Sequence, residues 1–141
     1  MKLAMLLTLV PTIGFGMDRL AALSMIETGN DDRLVGSAGE ISRYQILKKE
    51  WHSVTNSTRY ADPKTAYAVT LRLIERRMED FRAVYHRDPT NFEFYGLWNA
   101  PTQVLEGRIS RTVAERCRRY SNLCERKESP VNKAVIQLAA N

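Results

Sequence analysis

The sequence has only two cysteines, Cys117 and Cys124, so no network of disulfides carries its fold. At 141 residues it buries enough apolar surface to fold without metals or many bridges. The cysteines and the two histidines, His52 and His86, have no spacing that suits zinc, which argues against a metal site. A phosphate-binding glycine loop and a nucleophilic serine motif are both missing. Internal repeats, low-complexity tracts and Gly/Ser linkers are missing too, and one domain is therefore expected. With 44% hydrophobic and 26% charged residues, the composition argues against both disorder and a membrane protein.

The one long apolar run, Leu3 to Gly16 behind Lys2, is too short to cross a hydrocarbon core of about 30 Å, which takes roughly 20 apolar residues as a helix. Its single leading charge and its small residues Gly14 and Gly16 read as a secretory signal peptide cleaved after Gly16. The alternative is a buried N-terminal helix, which Pro11 and Gly14 disfavour. The expected organisation is a signal peptide over 1–16, a catalytic domain over 17–128 and a tail over 129–141, in a secreted or periplasmic monomer with no membrane span. Lys and Arg number 21 against 16 for Asp and Glu, a net charge of +5 that draws the protein weakly toward anionic polymers. Most of the excess lies among Arg108, Arg111, Arg116, Arg118, Arg119, Arg126 and Lys127. A solvated helix face explains such a run; nucleic-acid binding is the rival and is not expected.

The pattern along the chain is mainly α. A first helix is predicted from about Asp18 to Glu27, stopped by Gly29, then a polar loop or short hairpin from Asn30 to Gly39. A second helix is predicted from about Ser42 to Trp51. The clearest one has Asp62 at its cap and Pro63 in its first turn, with Ala66, Val69, Leu73, Ile74, Met78, Phe81 and Val84 on its apolar face. Thr90 and Glu93 form a capping box for a short helix through Trp98 that Pro101 ends, and Thr112 with Glu115 opens another that runs to about Tyr120. In an unbroken helix the two cysteines would lie about 10 Å apart along the axis, and a disulfide needs Cα atoms within about 7 Å. A bridge thus requires a break near Ser121 and Asn122. Paired thiols and free thiols both remain open, with export favouring the bridge.

Glu27 stands at the C-terminal end of its helix, where the negative end of the helix dipole, together with any burial, raises a carboxyl pKa. Around it lie Ile26-Glu27-Thr28-Gly29-Asn30, then Gly39-Glu40-Ile41-Ser42-Arg43-Tyr44-Gln45 and, much later, Leu97-Trp98-Asn99-Ala100-Pro101. This set resembles the catalytic region of the lysozyme and lytic transglycosylase superfamily. In that family a Glu closes a helix as E-S-G or E-T-G, a G-x-x-G-x-x-Q segment completes the cleft, and an A-Y-N-A-G motif brings a Tyr beside the Glu. Ser42 replaces the inner glycine, Trp98 the tyrosine and Pro101 the last glycine. Glu27 precedes Gln45 by 18 positions, as in bacterial lytic transglycosylases. Tyr95, one turn before Trp98, is placed to supply the missing phenol.

The resemblance implies a lysozyme-like helical domain acting on β-1,4 bonds of an N-acetylated amino-sugar polymer, most naturally peptidoglycan, with no cofactor. Glu27 would be the general acid, because the carboxyl beside a leaving oxygen must be held neutral by its surroundings. Glu40 lies five positions before Gln45, where animal-type lysozymes carry their second acid, and it tilts the reading toward hydrolysis. Its alternative is a loop carboxylate bound to backbone amides or to Arg43; Asp31 and Asp32 are weaker candidates. Tyr44, Gln45, Tyr95, Trp98 and Asn99 are the expected substrate-binding residues, each with a packing alternative. A transglycosylase using Glu27 alone, and a silent glycan-binding or scaffold module, remain open beside the hydrolase.

Overall fold

The computed structural model describes residues 17–125, so the expected signal peptide and C-terminal tail lie outside the described residues. The protein is mainly helical, and among the described residues it has no strand. Helix α1, Arg19–Thr28, begins where the Asp18 carboxylate accepts the Leu20 N–H. It ends where Gly29 turns left-handed at φ 64°, returning its N–H to the Met25 carbonyl. Both ends fall within a residue of expectation.

The second predicted helix is the main correction to the sequence reading. Its first half is a turn, in which Ile41 and Ile46 exchange two backbone hydrogen bonds of 2.8 Å as an isolated antiparallel bridge. Ser42 and Gln45 take left-handed φ values of 65° and 53°, conformations that end a helical path. Ile41, Tyr44 and Ile46 nevertheless reach the core from this turn. Only Lys48–His52 is helical, as α2, and it buries Trp51 completely.

Helix α3, Pro63–Tyr85, has the expected start, with the Asp62 carboxylate accepting the Thr65 N–H at 2.8 Å. Ala66, Val69, Leu73, Ile74 and Phe81 are buried, whereas Val84, expected on the same face, is exposed in the last turn. Helix α4, Asn91–Asn99, carries the Thr90 and Glu93 capping box. Phe94 through Trp98 are all buried, and a helix covered on every side belongs at the centre of a fold. It packs against α3, α5 and α6. Gly96 makes the approach close enough: a Cβ there would lie 2.6 Å from Val104 Cγ2. Pro101 opens the short helix α5, Pro101–Leu105, as its first residue; it marks a junction between two helices.

Helix α6, Arg111–Glu125, starts without the predicted Thr112 box. The Val113 N–H donates to Ser110 Oγ, and Glu115 pairs with Arg111. The helix continues unbroken past Tyr120, and both cysteines are free thiols, as the axial spacing of an intact helix requires. Cys117 is buried, and burial lifts its thiol to about 11. Tyr120 ties three helices together: it stacks on Phe94 and Tyr95 of α4, and its hydroxyl donates to the Arg19 carbonyl of α1 at 2.9 Å. The start of α1 is thereby fixed against α4 and α6, at the opposite end of the helix from Glu27.

Candidate active site

Glu27 lies in the last turn of α1, partly buried, and the Tyr95 hydroxyl donates to its Oε1 at 2.9 Å. Burial raises the Glu27 carboxyl above its ordinary value of 4.5. The Tyr95 hydrogen bond and the Arg116 charge pull it down, the Glu40 charge pushes it up, and burial is the largest of these effects. Tyr95 is itself raised by burial and by the neighbouring carboxylate, so its phenol remains a donor. Tyr95, one turn before Trp98 on α4, thus places a phenol on Glu27.

Two adjoining cavities share Glu27 and Arg116. The smaller, about 340 Å³, is lined by Glu27, Glu40, Gln45, Trp98 and Asn99, five of the seven residues singled out from sequence, together with Gly36, Ser37, Leu47 and Glu50. The larger, about 580 Å³, is lined by Ile26, Glu27, Tyr95, Arg116, Arg119, Asn122 and Leu123. Six of the seven residues thus border one cleft system.

Tyr44 is the exception. Its side chain is buried at 4% exposure in the core and lines neither cavity; its contribution is a backbone carbonyl that accepts the Trp98 indole N–H at 3.2 Å. The cause is the turn at Ile41–Ile46, which directs Tyr44 inward with the two isoleucines. Trp98 combines packing with cleft lining: the Arg77 guanidinium lies 5.1 Å over its ring and also donates to the Leu97 and Trp98 carbonyls at the end of α4.

The loop wall is held by its own polar groups. Glu40 Oε2 accepts the Ala38 N–H at 2.9 Å, and the Gln45 carboxamide donates to the Leu34 and Ser42 carbonyls. A Cβ at Gly36 would meet Glu40 Oε2 and Gln45 Oε1 and push the ends of those two side chains aside. Arg43 does not pair with Glu40. It makes a two-pronged ion pair with Asp32, at 2.6 and 2.8 Å, that lowers the Asp32 carboxyl. Thr28 Oγ1 donates to the Arg43 carbonyl, joining this loop to the turn after Glu27. Asp31 caps the Arg33 N–H within the loop, and neither Asp31 nor Asp32 lines the cleft.

Sequence reasoning missed Arg116 and Glu50. Arg116, Arg119 and Leu123 recur at helical spacing, a signal that the charge run concealed. Glu50 is ion-paired with Arg77 across α2 and α3, and nothing local announces that contact. Among the described residues no group of three or more His, Cys, Asp or Glu side chains is placed to hold a metal, and no helix is long and apolar enough to cross a membrane. No protein-family model, curated protein or solved structure matches the chain.

Proposed function

We propose that the protein is an exported, lysozyme-like glycosidase that cleaves β-1,4 bonds between N-acetylated amino sugars, with peptidoglycan as its polymer. The observation that carries this reading is a carboxyl at the end of α1, raised above its ordinary value by burial and held by a phenol, in a cleft with polar walls. Such a carboxyl serves as a general acid at pH values where an exposed Glu is ionised. Because Tyr95 occupies Oε1, the other Glu27 oxygen is the one to carry the proton. That proton passes to the glycosidic oxygen as the bond from the anomeric carbon breaks, and water completes the hydrolysis.

Glu40 lines the same cavity and acts on Glu27 through its charge, which supports it as the second carboxylate of a hydrolase. Gln45 and Asn99 offer carboxamides to acetamido and hydroxyl groups, and Trp98 offers an aromatic wall. Among the described residues the Asn99 carboxamide makes no hydrogen bond, so it is free for a ligand.

A lytic transglycosylase is the second reading, favoured by the Tyr95 phenol on Glu27 and by the hydrogen bond that ties Glu40 back to the Ala38 amide. There Glu27 acts alone, and a hydroxyl of the substrate attacks in place of water. Mass analysis of digested cell wall separates the readings: reducing ends indicate hydrolysis, products lighter by one water indicate the transglycosylase. If purified glycan strands release neither product, the enzymatic reading fails.

A further inference from the structure

We propose that the larger cavity beside Glu27 seats a carboxylate-bearing substituent of the glycan, held by Arg116 and Arg119, and that the protein therefore prefers an acidic glycan to a neutral one. This rests on the glycosidase reading for the course of the sugar backbone, which would follow the smaller cavity past Glu27.

Arg116 and Arg119 lie three residues apart on α6, and both line the cavity. Arg43, Arg59, Arg77, Arg82, Arg87, Arg108 and Arg111 each have a carboxylate partner. Among the described residues Arg116 and Arg119 have none and make no side-chain hydrogen bond, which is equally true of Arg33, Arg76 and Arg118; what sets Arg116 and Arg119 apart is that both line the cavity beside Glu27. Glu27 is the one acid on the cavity wall, so two guanidinium groups face a single carboxyl and the cavity is positive even when Glu27 is ionised. Two guanidinium forks one turn apart match a carboxylate better than a hydroxyl or an acetamido group. Ile26 and Leu123 give the same cavity apolar surface for the carbon atoms of a substituent, and Asn122 adds a carboxamide. Glu27 and Arg116 line both cavities, so a sugar whose glycosidic oxygen meets Glu27 has its substituent within reach of the arginines.

The test uses the full chain with Glu27→Gln to prevent turnover, and calorimetry with two oligosaccharides of alternating N-acetylglucosamine and N-acetylmuramic acid, one with free carboxylates and one amidated. The free acid is expected to bind about tenfold more tightly, with the preference reduced by adding Arg119→Gln and abolished by adding Arg116→Gln as well. Circular dichroism checks that each variant is folded. Equal affinity for the two ligands, binding of neither, or a preference that survives the double arginine change overturns the proposal. So does salt-sensitive duplex DNA binding, lost in the double variant, without any carboxylate preference. An arginine-dependent acid preference in a protein that cleaves no glycan keeps this site and rejects the glycosidase reading. Cleavage by the wild type without acid preference does the reverse.

Discussion

The two walls of the cleft are built on different physical terms. Tyr95 and Trp98 stand on α4, a helix buried on every side, where packing against α3, α5 and α6 sets each position. Glu40 and Gln45 stand on a loop whose shape depends on short-range hydrogen bonds, an isolated bridge and residues in left-handed conformations. Disturbing the helix wall should cost stability first, and disturbing the loop wall should cost function first. Glu27 joins them, bonded to α4 through Tyr95 and tied to the loop through the neighbouring Thr28.

The largest effect is expected at that junction. Glu27→Gln should lower turnover of cell-wall glycan by about 10³-fold, as general acids commonly do; a rate within a few-fold of wild type would remove Glu27 from the chemistry. The same variant should be more stable than wild type at neutral pH. Because the folded-state pKa is raised, the fold favours the neutral carboxyl fully below the unfolded value near 4.5, and that stability is lost as pH rises through the raised value. The Tm advantage of the glutamine should therefore shrink toward zero as the pH falls below about 4.5.

A pair of alanines tests the contrast itself. Gly96→Ala drives a methyl into Val104 and should destabilise by about 1–3 kcal/mol in denaturant unfolding. Gly36→Ala meets the Glu40 and Gln45 side chains, and it should lower activity several-fold with a smaller stability loss. The opposite ranking would break the comparison. Next in size, Tyr95→Phe removes the hydrogen bond that lowers the Glu27 carboxyl, so the alkaline limb of the pH–rate profile, where the general acid loses its proton, should move upward, with about tenfold lower activity at its optimum. Smallest is Ser42→Gly. Ser42 holds φ 65° without being glycine, so relief of that strain should add up to about 1 kcal/mol, offset in part by loss of the bond from the Tyr44 N–H to Ser42 Oγ.

Local chemistry made much of the fold legible. Asp18, Asp62 and the Thr90–Glu93 box start their helices as read, because a cap is a contact between residues two or three positions apart. The reading failed between Ser42 and Lys48. A single helix was expected there, but positive φ at Ser42 and Gln45 made a turn, and Tyr44 within that turn is buried in the core. On α6, Ser110 took the capping role assigned to Thr112, and the helix ran on through both cysteines.

By itself the sequence determined the mainly helical character, most helix starts and the candidacy of Glu27, since all of these depend on spacing within a few turns. It also placed Tyr95 one helical turn before Trp98, which is fixed by the period of the helix. Only the tertiary structure decided that the Tyr95 phenol meets Glu27, that Arg116 borders both cavities and that Tyr44 does not reach the cleft. Those outcomes depend on how deeply each side chain is buried by elements distant in the chain. Burial is also what moves the Glu27 carboxyl, and that burial could be suspected from neighbours in sequence but was decided only by packing.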